Sequence, residues 1–203
     1  MGNIASLFPL PVYLDKPEGE TFEKIQEELL SLCEKTDFSQ KGNWNKDTHM
    51  LSKDPFNTNI LMDNNCTNAV DFIYKSTTKY IEGIMGQSNY QYHLMESWLT
   101  KTMNGQYAHD HHHGAADISG VYYIKTNGKD GNLRFDNIHS NMAGNFICST
   151  LPSRQPMPLE TGGLILWPGP LRHGTETNNT DSERISLSFN IFVGRRGFKV
   201  DNG

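Results

Sequence analysis

Two amphipathic helical patterns, followed by six or more short β-branched and aromatic runs, predict an α+β protein with a sandwich or barrel in its second part and the helices laid over one sheet. A chain of 203 residues, 36% of them hydrophobic, can bury one substantial core, whereas two independent cores would each be marginal. The expectation is one domain over 1–203, with a helical part to about residue 88 and a β-rich part from about 89 to 198.

Taken in order, residues 6–13 carry Pro9 and Pro11, which can neither continue a helix nor donate to a central ladder, so they predict an extended edge segment. From Thr21, Phe22, Ile25, Leu29 and Leu32 recur at spacings of three and four with Glu23, Lys24, Glu27 and Glu28 off the stripe, which predicts a surface helix packed on a core. Residues 36–65 are polar, contain Pro55 and read as a long connection. A second helix is expected from about Asn68 to Ile84, with Phe72, Ile73, Tyr80 and Ile84 as its apolar face and Gly86 as its stop. Beyond it the runs Tyr92–Thr102, Ile118–Lys125, Asn132–Phe135, Asn145–Cys148, Gly163–Trp167 and Arg184–Val193 predict strands, and Asn127-Gly128-Lys129-Asp130-Gly131 predicts a hairpin turn between two of them.

A formal charge of -5 removes the long-range attraction to phosphate on which nucleic-acid and anionic-membrane binders rely, so neither partner is expected. Cys33, Cys66 and Cys148 are too few for a disulfide scaffold and have no CxxC spacing, which fits a reducing compartment. No stretch approaches 18 apolar residues and the N-terminus lacks the pattern of a secretory signal, so a soluble, cytoplasmic protein is expected. Met1 to Ser6 fit the loose N-myristoylation pattern, which only a eukaryotic context would use.

The chemistry concentrates in histidine. In an extended chain His109, His111 and His113 point one way while Asp110 and His112 point the other, so a His-x-His pair can present two imidazoles to one ion. Two ligands leave a site for zinc, iron, copper or nickel incomplete. His173, delivered by a Pro/Gly turn at the end of the apolar run Gly163–Trp167, is a candidate for the third. The strongest alternation in the chain follows: Arg184, Ser186, Ser188 and Asn190 share one face, and Ile185, Leu187, Phe189 and Ile191 the other. A guanidinium facing the inside of a barrel would be costly to bury without an anion, which points to a carboxylate ligand. A sheet with one solvated face is the plainer alternative.

The pattern His-x-His, Ser119-Gly120-Val121-Tyr122-Tyr123-Ile124, Pro168 to His173 and Arg184-Ile185-Ser186-Leu187-Ser188-Phe189-Asn190 resembles the 2-oxoglutarate/Fe(II)-dependent oxygenases of bacteria and their phages, over roughly residues 97–193. The resemblance implies a double-stranded β-helix, or jelly-roll (cupin-like), core with the N-terminal helices packed on one sheet. It implies an Fe(II), 2-oxoglutarate and dioxygen-dependent dioxygenase, of hydroxylase type, that releases succinate and carbon dioxide and acts on a small-molecule or peptide substrate. It further implies His111, His113 and His173 as metal ligands, with Arg184 and Ser186 gripping the distal carboxylate of 2-oxoglutarate. The superfamily's usual third ligand is a carboxylate, where this chain has His113. Asp110 and Asp117 are the nearby carboxylates, but neither has the two-residue spacing from His111. A cupin-type metalloenzyme that does not use 2-oxoglutarate, and a non-catalytic jelly-roll binding module, are the competing readings. The connections 36–65, 103–117 and 136–162 are expected to build the substrate-access surface, and Asn104, Tyr107, Tyr122, Tyr123 and Trp167 are candidates to line the pocket.

Overall fold

The computed structural model describes residues 9–38, 40–41, 49–52, 59–86, 90–138 and 152–195. Two antiparallel sheets face each other within this set. The larger has seven strands in the order β1-β8-β5-β10-β4-β3-β2, and the smaller has three in the order β7-β6-β9. These are β1 (Tyr13–Asp15), β2 (Gln40–Lys41), β3 (Met50–Leu51), β4 (Tyr90–Thr102), β5 (Ile118–Lys125), β6 (Leu133–Asp136), β7 (Arg154–Met157), β8 (Leu164–Pro168), β9 (His173–Thr175) and β10 (Arg184–Arg195). The helices are α1 (Gly19–Lys35), α2 (Ile60–Asp63) and α3 (Thr67–Met85).

The alternation along the strands decides the layering. On β5, Tyr122 and Ile124 join Leu187 and Ile191 of β10 and Leu164 and Leu166 of β8 in a core shared with Ile25, Leu29 and Leu32 of α1 and Phe72, Ile73 and Ile81 of α3. The intervening Val121 and Tyr123 face the smaller sheet, in a second cluster with Leu133, Phe135, Ile165 and Trp167. The major sheet is thus covered over its central strands by helices on one face and by the minor sheet on the other.

Each helix end has a local cause. At the start of α3 the Glu28 carboxylate of α1 accepts from the backbone N–H groups of Asn68 and Ala69 (3.2 and 2.9 Å), which satisfies two orphan donors and ties the helices together. Gly86 ends α3 with a left-handed φ of 67°, its N–H bonded to the carbonyl of Glu82. Ile84, expected on the buried face, is exposed; Ile81, one turn beyond Thr77 on the row that starts at Ile73, is buried instead.

Other expectations are corrected. The N-terminal strand begins at Tyr13, where the predicted edge segment ended, and it pairs with β8 at the edge of the major sheet. The 36–65 connection contains the short elements β2, β3 and α2. Residues 127–131 do not form a hairpin turn, because β5 belongs to the major sheet and β6 to the minor one. They form a corner between the sheets: the Asp130 carboxylate accepts from Asn127 N–H (2.9 Å) and the Thr126 hydroxyl (2.6 Å), and Gly128 and Gly131 take φ of 75° and 93°. The predicted strand Asn145–Cys148 and the myristoylation pattern at 1–6 lie outside the described residues.

Candidate metal centre

The chain leaves β8 through Pro168-Gly169-Pro170-Leu171, closed by the bond from Leu171 N–H to the Pro168 carbonyl (2.9 Å), and enters the minor sheet at His173. There β9 pairs with β6 on one side. On the other side His173 and His111 exchange backbone hydrogen bonds of 2.9 and 2.8 Å, an antiparallel bridge that sets their side chains next to each other. Two residues on, His113 N–H donates to the Gly169 carbonyl (2.9 Å), so the third imidazole is pinned to the same turn. Ligand atoms of His111, His113 and His173 all lie within 4.8 Å of one another.

Hydrogen bonds orient two of these rings. Nδ1 of His111 meets the carbonyl of His109 at 2.7 Å, and Nδ1 of His173 meets that of Leu171 at 2.9 Å. A carbonyl only accepts, so each Nδ1 carries the proton and each Nε2 keeps its lone pair for a cation. Burial holds the cluster neutral. It pushes His173 down to about 3 and His113 to about 4, with the neighbouring His111 acting in the same direction, and it lowers His111 as well. Neutral imidazole is the form that binds metal.

The carboxylates flanking the cluster are committed elsewhere. Asp110 is ion-paired with Arg134 (2.9 Å) and Arg154 (2.8 Å), and Asp117 accepts from the backbone N–H of Val193 (2.8 Å). His109 also stands apart, its ring edge-on to Tyr107 at 5.0 Å. The cluster is therefore built from the three histidines of the His-x-His and turn segments.

A cavity of about 230 Å³ opens from the histidines and runs between the sheets to Arg184. Ser186, Ser188 and Thr175 line it, with Tyr123 and Trp167. Arg184 is only 2% exposed. Its Nη1 donates to the carbonyls of Asp130 (2.7 Å) and Gly131, and its Nη2 to the hydroxyls of Thr102 and Thr175 (3.2 Å each). These acceptors are all neutral, and among the described residues Arg184 forms no ion pair. Desolvation accordingly lowers its pKa, opposed by Tyr123 and Asp130. The indole N–H of Trp167 is buried with no hydrogen-bond partner among the described residues, and the ring lies 4.7 Å from that of His173.

Of the pocket candidates, Tyr123 and Trp167 line the cavity. Tyr122 points into the helix-covered core, and the Asn104 amide bonds Asp181 at the surface. The cavity also takes in Trp98, which stands at a place where the sequence resembles the family, and His49 and Glu96, which sequence reasoning did not single out. Glu96, Trp98 and Thr100 sit at alternate positions of β4, and that period of two was the available signal.

Residues 96–190 match the family model described as "Putative 2OG-Fe(II) oxygenase". Solved structures with this fold include the non-heme alpha ketoglutarate dependent epimerase SnoN from nogalamycin biosynthesis, at TM-score 0.64 and 12% identity, covering 96% of this chain and 86% of that one. HygX from Streptomyces hygroscopicus, with nickel, 2-oxoglutarate and hygromycin B bound, gives 0.60 and 14%, with 94% and 85% covered. A Pseudomonas putida prolyl-4-hydroxylase gives 0.57 and 11%, with 93% and 94% covered. A search of curated proteins finds no match. The sandwich of sheets and the histidine cluster fall largely inside the matched span, so residues 96–190 are similar to the 2OG-Fe(II) oxygenases. Its core has the double-stranded β-helix fold of these solved structures. No helix among the described residues is long and apolar enough to cross a membrane.

Proposed function

We propose that this chain hydroxylates a small-molecule or peptide substrate, with His111, His113 and His173 holding Fe(II) and with Arg184 and Ser186 receiving the distal carboxylate of 2-oxoglutarate. The observation that carries the reading is one cavity with imidazoles at one end and, at the other, a buried cation with no anionic partner among the described residues. A dicarboxylate suits that polarity: a chelating 2-oxo acid belongs at the metal, and a second carboxylate compensates the guanidinium.

The residues present fit such a load. His111 and His173 already aim their Nε2 lone pairs, and Ser186 has no hydrogen-bond partner for its hydroxyl among the described residues. Thr175, which lines the cavity and accepts from Arg184, keeps its hydroxyl proton for donation to an anion. The unpartnered Trp167 N–H offers one more donor beside the histidines. When bound, iron and 2-oxoglutarate supply the oxidising chemistry, ending in succinate and carbon dioxide; the chain supplies orientation and a dry wall. Leu133, Phe189 and Trp167 are the apolar part of that wall and exclude water from the reacting end.

The test is anaerobic titration of the protein with Fe(II) and then 2-oxoglutarate, read by the visible metal-to-ligand charge-transfer band. A band that saturates at one equivalent per chain is expected. Iron binding with no band on adding 2-oxoglutarate would leave a metalloprotein that does not use this co-substrate.

A further inference from the structure

The three histidines are not equivalent. His111 and His173 face carbonyl oxygens through Nδ1, whereas Nδ1 of His113 lies 3.3 Å from the amide nitrogen of Asn190. Asn190 is the middle of a rung across the major sheet, paired with Ser119 of β5 on one side and Glu96 of β4 on the other. Its Oδ1 accepts from the Ser119 hydroxyl (2.7 Å) and its Nδ2 donates to the Glu96 carboxylate. A hydroxyl can donate or accept, so Ser119 tolerates either orientation of the amide. A carboxylate only accepts, so Glu96 alone decides that the NH₂ end faces it, and with it His113.

We propose that Glu96 is a positioning residue that, through Asn190, holds His113 in the tautomer opposite to that of His111 and His173, so that the third imidazole joins a metal only after the Asn190 amide turns over. In the clamped arrangement His113 Nδ1 accepts, and its ring proton sits on Nε2. That N–H can donate to an anion at the metal but cannot ligate the metal itself. Turning the amide brings Oδ1 to His113; the proton leaving Nε2 is replaced by one on Nδ1, with no net gain or loss, and Nε2 is freed as a ligand. The turn also sets Oδ1 against the Glu96 carboxylate, which has to move aside. Two imidazoles are thus ready for metal and the third is conditional, and the condition is written on β4, outside the histidine segments. The inference rests on the proposed metal site.

Glu96→Gln separates this from a merely structural role. A glutamine can donate to a turned Asn190 as well as accept from an unturned one, so it unlocks the amide. Ni(II) affinity, measured by competition with a chromophoric chelator, should rise at least about threefold in Glu96→Gln, and His113→Ala should cost more in that background than in the parent. A folded Glu96→Gln protein that binds Ni(II) no tighter than the parent overturns the proposal. A second measurement needs no variant: nitrogen-15 shifts of the metal-free parent should report the Nδ1–H form for two histidines of the cluster and the Nε2–H form for His113, and three Nδ1–H rings would equally overturn it. If His173→Ala keeps parental Ni(II) affinity, the metal site itself is misassigned; if His173→Ala loses Ni(II) while Glu96→Gln changes nothing, only the clamp fails.

Discussion

At the scale of single residues, the site divides into groups the chain has already oriented and groups left for a ligand. His111 and His173 belong to the first, since backbone carbonyls fix their tautomers. Replacing either with Ala should abolish stoichiometric iron binding, and retention of parental iron content in either variant would refute its role. Arg184 belongs to both groups, because its hydrogen bonds hold the corner at Asp130 and Gly131 while its charge has no ion-pair partner among the described residues. Arg184→Leu should therefore keep iron yet lose 2-oxoglutarate affinity by at least about tenfold, given roughly 1.5–3 kcal/mol for a hydrogen bond to a charged group. Arg184→Lys should rescue only in part, since an ammonium keeps the charge without the planar fork. Anaerobic calorimetry on metal-loaded protein decides, and unchanged affinity in the leucine variant removes Arg184 from the co-substrate site.

At the scale of elements, the turn after β8 and the turn before β5 are interlocked. His113 N–H donates to the Gly169 carbonyl, and Gly169 N–H donates to that of Asp117 at 3.1 Å. A Cβ at Gly169 would run into the backbone carbonyls of Ala116 and His113, which cannot yield as a side-chain tip can. Gly169→Ala should cost about 1–3 kcal/mol and weaken metal binding, because the collision pushes the His113 loop away from the turn that presents His173. Gly114→Ala is the control in the same loop: its Cβ would meet only the His112 ring, at 3.5 Å, and should be nearly neutral. Chelator competition with thermal melts on both variants tests the pair, and equal metal affinity in the two would refute the interlock. The same region shows what was legible beforehand. The alternation of β10 and the offset of two between His111 and His113 were readable because strand periodicity is local. The corner at 127–131 looked like a hairpin because its Asn, Gly and Asp are hairpin residues, and only long-range pairing sends β5 and β6 into different sheets. Glu96 escaped notice for the same reason, as its partner Asn190 lies 94 positions away in sequence.

At the scale of the whole molecule, packing the histidines between two sheets makes stability depend on pH in a definite direction. An imidazole in the unfolded chain takes up a proton near pH 6.5. In the fold, burial holds His113 and His49 down to about 4 and His173 to about 3. Between those values the unfolded chain binds more protons than the native one, so stability is fully present above about pH 6.5 and is lost as pH falls toward 4. At pH 5 each imidazole still held neutral costs about 2 kcal/mol, and a shared cavity keeps the three costs from adding independently. The metal-free protein should accordingly melt at least about 4–8 °C lower at pH 5 than at pH 7, the shift that one such imidazole gives by itself at about 2–4 °C per kcal/mol for a chain of this length. The Asp15 and Glu183 carboxylates, both lowered in the fold, lose their contributions mainly below this window, since their ordinary values are 3.8 and 4.5. His173→Leu removes the most deeply buried imidazole of the cluster and should flatten the slope between pH 6.5 and 5 while leaving the carboxylate contribution lost at lower pH in place. Melting temperatures of the parent and this variant across pH 4–8, with a chelator present, check the argument; a parent whose melting point is the same at pH 5 and pH 7 would show that the histidines take up protons in the fold as readily as in the unfolded chain.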